Sequence, residues 1–233
     1  MSFRYYNADK IREKMPEYKG TDEELQSAFD DISLVYNSAI KELKTKLDII
    51  SDDFDKKHSY MPIHHISTRL KTFDSLFEKA GRYGIEDPIN NLDVVRREVL
   101  DIAGIRVICN YEEDIEKMSE LLLEQEDIDL IRMKDYCDTP KESGYRSLHM
   151  VVSTTVYLVN RKVVVPVELQ FRSIAMDLWA SLEHELRYKN KGKLDDEVQN
   201  QLKECAETLT DIDHKMSKIR NKVLSEENEY SGY

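Results

Sequence analysis

Cysteine is scarce. The 233 residues hold three, Cys109, Cys137 and Cys205, far apart and without metal-ligand spacing. They read as free thiols in a reducing compartment and exclude a disulfide-stapled scaffold. No apolar run approaches the length of a membrane span, and the polar start Met1-Ser-Phe-Arg-Tyr-Tyr6 is not a signal peptide. The expected location is the cytoplasm, with no membrane partner. Net positive charge is missing too, the formal balance being −12. Nucleic acid is therefore not an expected partner, although a local basic pocket is compatible with that balance. Spaced histidine pairs are also absent. His64 and His65 are adjacent, and Glu183-His-Glu185 lacks the second His of a zinc-protease helix, so His184 reads as a satisfied structural imidazole. What remains is a chain long enough for one domain with appendages, or two small ones.

The most informative stretch is Val163-Val-Val-Pro-Val-Glu-Leu-Gln-Phe-Arg172. Val163, Val165, Val167, Leu169 and Phe171 share one parity, while Glu168, Gln170 and Arg172 fall on the other. Alternation of period two predicts a strand with one face in the core. A carboxylate held by a rigid central strand beside an amide and a guanidinium is a candidate site. The following segment predicts a helix with an apolar face of Ile174, Leu178, Leu182 and Leu186, widened by Ala175 and Trp179.

Ahead of this strand, Thr21-Asp-Glu-Glu24 has the spacing of a capping box. Leu25, Phe29, Ile32, Tyr36, Ala39, Leu43 and Ile50 then recur at helical spacing to about residue 50. Residues 51–65 read as a linker. Ser67 to Lys79 predicts a helix ending near Gly81 or Gly84, with Arg69, Lys71 and Ser75 at its start, where free N–H groups favour an anion. Asp101-Ile-Ala-Gly-Ile-Arg106-Val-Ile-Cys-Asn110 predicts a buried strand. Gly104 within it marks a close approach, and Asp101 can share a site with Arg106 only by lying just off the regular strand. A helix at 113–124 and a strand at 128–136 complete a strand–helix–strand unit. Lys141-Glu-Ser-Gly-Tyr145-Arg-Ser-Leu-His149 is a loop with an aromatic among cations, suited to stacking a nucleobase near its phosphates. It leads into a strand that pairs with the Glu168 strand as a hairpin. After a break at Gly192, Val198, Leu202, Cys205, Leu209, Ile212, Met216, Ile219 and Val223 form a heptad stripe. The tail from Ser225 is expected to fray.

Four segments, Arg69-x-Lys71-x-x-x-Ser75, Asp101-Ile-Ala-Gly-Ile-Arg106, Lys141-to-His149 and Val167-Glu-Leu-Gln-Phe-Arg172, resemble in order and spacing the synthetase domain of RelA/SpoT-type (p)ppGpp synthetases. The likeness covers roughly residues 61–193, and the C-terminal helix suits the small, single-domain members. It implies an α/β (α+β) fold, a nucleotidyltransferase-like mixed β-sheet flanked by helices, with long N- and C-terminal helices. The divisions expected are an N-terminal helical segment (1–60), the synthetase domain (61–193) and an oligomerising C-terminal helix (194–233). The implied reaction moves the β,γ-pyrophosphate of ATP to the ribose 3′-OH of GDP or GTP.

The resemblance assigns Asp101 and Glu168 to Mg²⁺, with Glu168 also placed to take the 3′-OH proton. Arg69 and Arg106 would sandwich adenine, and Lys71, Ser75 and Lys79 would meet the ATP phosphates. Tyr145 would stack on guanine. Lys134, Lys141 and His149 would meet the acceptor's phosphates or the reacting group, and Gln170 would lie beside the acceptor. Asp177, where some members have Asn, would read the guanine edge. The segment His64-His-Ile-Ser-Thr68 differs from that of product-activated members, so stimulation by product is not expected. No His-Asp dipeptide occurs, so a hydrolase half is not expected either. The terminal helices imply a homo-oligomer, with a homotetramer favoured. Two other readings compete: the same chemistry on an adenosine nucleotide or a tRNA 3′ end, and a catalytically dead nucleotide-sensing module. The pair Asp101 and Glu168 weighs against the second, because a binding module needs no paired metal carboxylates.

Overall fold

The computed structural model describes residues 21–190 and 192–230, apart from the side chains of Asp22, Leu25 and residues 224–230. Helix α1 (Asp22–His58) opens with the predicted capping box, in which Glu24 N–H donates to the Thr21 hydroxyl and the Glu24 carboxylate accepts from Thr21 N–H. It is longer than its apolar stripe suggests. Phe54 is buried beyond the expected end, and Lys56, Lys57 and His58 sit on the carbonyl end of the helix, where positive charge stabilises it.

Five strands form one mixed sheet in the order β1-β2-β5-β4-β3. They are β1 (Ile63–Leu70), β2 (Ala103–Cys109), β3 (Ile128–Asp135), β4 (Leu148–Tyr157) and β5 (Lys162–Ser173). Only β2 and β5 run parallel; the other neighbours are antiparallel. Between the strands lie α2 (Phe73–Arg82) and α3 (Leu92–Glu98) after β1, and α4 (Glu112–Leu123) after β2. Helix α5 (Ile174–Lys189) follows β5 directly, and α6 (Asp196–Tyr230) closes the chain.

The predicted parity of β5 holds. Val165, Val167, Leu169 and Phe171 are buried, and they share one core with Ile105 and Val107 of β2, Met150 and Val152 of β4, and the inner face of α1. Ile32, Tyr36, Ala39, Leu43 and Leu47 of α1 are packed onto this back face of the sheet. Removing each large apolar side chain from water stabilises the fold by about 1.5–3 kcal/mol. The N-terminal stripe is thus spent on packing against the body of the chain.

Four further expectations change. Residues 63–70 form an edge strand, not linker and helix start, so Arg69 stands on β1, Lys71 in the turn and only Ser75 in the first turn of α2. Helix α5 turns Met176, Trp179 and Ala180 inward and leaves Ile174, Leu178, Leu182 and Leu186 between 40% and 52% exposed. His184 on the same helix is exposed rather than a satisfied internal group. Finally, the helix of the tail continues to Tyr230, and residues 231–233 lie outside the described ones.

Candidate active site

The front of the sheet carries two rungs of side chains. Paired residues on neighbouring strands point to one side, so register alone brings these groups together. One rung runs Arg69, Gly104, Glu168, Val151; the other runs Ser67, Arg106, Gln170, His149, Lys134. Thus residues distant in sequence stand on five adjacent strands as one row.

A cavity of about 210 Å³ opens over β1, β2 and β5. Arg69, Gly104, Arg106, Glu168 and Gln170 line it. The Arg69 stem lies over Gly104, but a Cβ there would sit 3.5 Å from Arg69 Cγ, an ordinary van der Waals contact, so this approach does not require glycine.

Asp101 lies just before β2, off the regular strand as required. Its Oδ2 accepts from Lys79 Nζ at 2.6 Å and stands 3.2 Å from Lys71 Nζ. Burial pushes this carboxyl's pKa up, but the Lys79 hydrogen bond and the Lys71 charge outweigh burial and hold it below the usual carboxylate value. Its other oxygen, Oδ1, is buried without a hydrogen-bond partner. Ser75 does not join this group through any direct contact described; it is exposed and takes part in the cap of α2, accepting from Thr72 Oγ1 at 2.9 Å.

The second half of the site hangs on the loop ahead of β4. Arg172 Nη2 donates to the Tyr145 hydroxyl at 2.8 Å, and that hydroxyl lies 2.7 Å from His149 Nε2. With its oxygen already accepting, the phenol has its own proton to give to Nε2. The other ring nitrogen, Nδ1, is 4.0 Å from Glu168 Oε1, too far for a hydrogen bond. Burial first, then the charges of Arg172, Lys141 and Lys134, pull the His149 pKa down to about 4. His149 is therefore a neutral imidazole near pH 7. Glu168 Oε2 accepts from Gln170 Nε2 at 2.9 Å. Lys141 Nζ lies 4.8 Å from the Tyr145 ring centre and 4.6 Å from that of Tyr136. Lys134 is exposed on the edge strand opposite His149.

Three residues of this neighbourhood carried no assigned role in the sequence. Arg172, 6% exposed at its side chain, links Tyr145, Gln170 and Asp177. Tyr136 and Trp179 meet the Tyr145 ring edge-on, at centre distances of 6.1 and 6.5 Å. Both also line a cavity of about 760 Å³ beside the loop, together with Lys141 and Ser143. Arg172 was legible as the third polar residue on the outer parity of β5. Tyr136 and Trp179 had no local signal, because their partners lie far away in sequence.

The arrangement can hold two anionic, flat ligands. One cavity lies between two guanidiniums, an aromatic platform ringed by cations lies beside it, and two carboxylates stand at the start of β2 and on β5.

Comparison with known proteins agrees with this geometry. Residues 68–193 match the family model described as a region found in RelA / SpoT proteins. The GTP pyrophosphokinase YwaC of Bacillus subtilis is 40% identical over 190 residues, 82% of this chain and 89% of that one. The GTP pyrophosphokinase YjbM of the same organism is 36% identical over 188 residues, covering 81% of this chain and 86% of its own length. Among solved structures, small alarmone synthetase 1 from Bacillus subtilis bound to its product pppGpp superposes with a TM-score of 0.75 at 34% identity, over 84% of this chain and 98% of that one.

Proposed function

The chain belongs to the RelA/SpoT family, and we propose that it is a GTP pyrophosphokinase, moving the β,γ-pyrophosphate of ATP to the ribose 3′-OH of GDP or GTP to make ppGpp or pppGpp. The observation that carries this reading is the shared row of donor and acceptor groups on the front of the sheet, with Glu168 between them.

Pyrophosphoryl transfer needs positioning and charge neutralisation more than covalent chemistry from the protein. Arg69 and Arg106 would stack on adenine from the two sides of the smaller cavity. Lys71 and Lys79 would meet the ATP phosphates, and Ser75 would support them from the first turn of α2. Tyr145 would stack on guanine, with its hydroxyl already fixed by Arg172. Lys134 and Lys141 would take the acceptor's phosphates. His149, being neutral, would act as a hydrogen-bonding group beside the reacting oxygen rather than as a phosphate cation. Glu168, with Gln170 bonded to its Oε2, would take the 3′-OH proton.

Magnesium fits this donor set. The unpartnered, buried Oδ1 of Asp101 is an oxygen whose ligand is missing from the protein itself, and Glu168 supplies a second carboxylate. Among the described residues there is no group of three or more metal-ligating side chains. Two carboxylates completed by substrate phosphates are the usual way proteins hold magnesium in nucleotide sites. Bound there, the ion would neutralise charge on the phosphates during transfer.

Self-association belongs to the same reading. Ile212, Met216, Ile219 and Val223 of α6 are each 46–56% exposed, and the α5 stripe is a second outward apolar face. Two distinct self-complementary faces suit a homotetramer. No helix among the described residues is long and apolar enough to cross a membrane.

The deciding experiment incubates the protein with γ-labelled ATP, Mg²⁺ and each of GDP, GTP, ATP and uncharged tRNA. Label should pass to GDP and GTP. Label on ATP or tRNA alone would replace the acceptor, and no labelled product with any of them would remove the activity.

A further inference from the structure

Asp177 lies in the first turn of α5, at the seam between the two halves of the site. Its Oδ1 accepts from Arg172 Nη1 at 2.9 Å and stands 3.4 Å from Arg106 Nη1. One oxygen thus meets both guanidiniums. Arg106 is a wall of the donor cavity. Arg172 reaches the acceptor side, donating to the Tyr145 hydroxyl and lying 5.3 Å from the Tyr145 ring centre. The two cations share a half-buried place on neighbouring strands, where they repel each other. Burial, and then the charge of Arg172, weaken Arg106's hold on its proton, while Asp177 opposes both. Without a carboxylate between them, Arg106 would lose the ion pair that offsets this repulsion, and Arg172 would be left with its bonds to the Tyr145 hydroxyl and Gln170 Oε1 alone.

We propose that Asp177 is a positioning residue that couples the two nucleotide sites, holding Arg106 over the donor and Arg172 against Tyr145 through one shared oxygen. This rests on the donor and acceptor assignment above and goes beyond it, because it gives Asp177 a role in both sites rather than at the guanine edge alone. ATP stacked on Arg106 fixes Asp177, Asp177 fixes Arg172, and Arg172 fixes Tyr145 for the acceptor. Each nucleotide then tightens the other, and linkage requires the factor to be equal in both directions.

The test is calorimetric titration with a non-hydrolysable ATP analogue, with and without saturating GDP, and the reverse titration with GDP. Wild type should show mutual tightening of about 5-fold or more. Asp177→Ala should weaken both nucleotides and bring the factor to about 1, whereas Asp177→Asn, which keeps an amide oxygen for both guanidiniums, should retain most of it. Circular dichroism and melting of both variants check that the fold is kept. If Asp177→Ala weakens GDP alone with the factor intact, Asp177 reads the acceptor and the coupling role is wrong. A factor of about 1 already in wild type overturns the coupling while leaving the pyrophosphokinase reading standing. Failure of wild type to bind either nucleotide overturns both.

Discussion

Lys79 donates to Asp101 Oδ2 at 2.6 Å, tying the last turn of α2 to the strand β2 that follows Asp101. The bond sets Asp101 so that one oxygen faces cations and the other is left bare and buried. Charge-assisted hydrogen bonds of this kind are worth about 1.5–3 kcal/mol. Lys79→Ala should therefore raise KM for ATP by about tenfold or more while KM for GDP stays nearly unchanged. Steady-state kinetics with each nucleotide varied checks this, and an equal rise in both would contradict the donor-side assignment.

Gly144 holds φ +89°, and a Cβ built on it would come within 2.6 Å of Ala206 Cβ on α6. The loop that presents Tyr145 is seated directly on the C-terminal helix. Gly144→Ala combines a left-handed backbone with a clash and should cost about 1–3 kcal/mol, read as a lower urea midpoint, with a higher KM for the acceptor. Adding Ala206→Gly should relieve the clash but not the backbone strain, giving partial recovery. No recovery would mean that the steric contact is not the cause.

The outward stripe of α6 predicts association. Ile212→Asp with Ile219→Asp places two charges in the exposed apolar face without touching the residues that seat the helix on the body, such as Ala206 and Asp213. Light scattering should show a smaller mass than wild type. An unchanged mass would remove α6 as an interface.

Asp213 is buried and accepts from the Ser173 hydroxyl that caps α5. Burial raises its pKa, as does Glu112, against smaller lowering effects from the Ser173 bond, Arg146 and His214. For a carboxyl raised in the folded state, the stabilising contribution is full below the ordinary value of 3.8 and is lost as pH climbs through the raised one. Asp213→Asn removes that loss. The variant should gain stability relative to wild type as pH rises from below the ordinary carboxyl value of 3.8 to neutral, read from urea midpoints. A constant difference across that range would contradict it.

Much of the site could be read before the fold was seen, and the reason is periodicity. The alternation along Val163–Arg172 located Glu168, Gln170 and Arg172 on one face. Residues 63–70 misled because Arg69, Lys71 and Ser75 lie close in sequence to the true helix, yet span a strand, a turn and its first turn. Their strand character rests on β2, a partner more than thirty residues away. The α5 stripe misled differently. Spacing shows that Ile174, Leu178, Leu182 and Leu186 share a face, but not whether that face meets its own sheet or another molecule. The Arg106–Asp177–Arg172 link was out of reach altogether, since it is made by tertiary register between β2, β5 and α5.

The central claim is that Glu168 stands between donor and acceptor in a pyrophosphoryl-transfer site. Its most direct test compares wild type with Glu168→Gln, using γ-labelled ATP, GDP and Mg²⁺, alongside binding of a non-hydrolysable ATP analogue. Labelled ppGpp should form with wild type and not with Glu168→Gln, which should still bind the analogue. Product formation by Glu168→Gln at the wild-type rate would contradict the account.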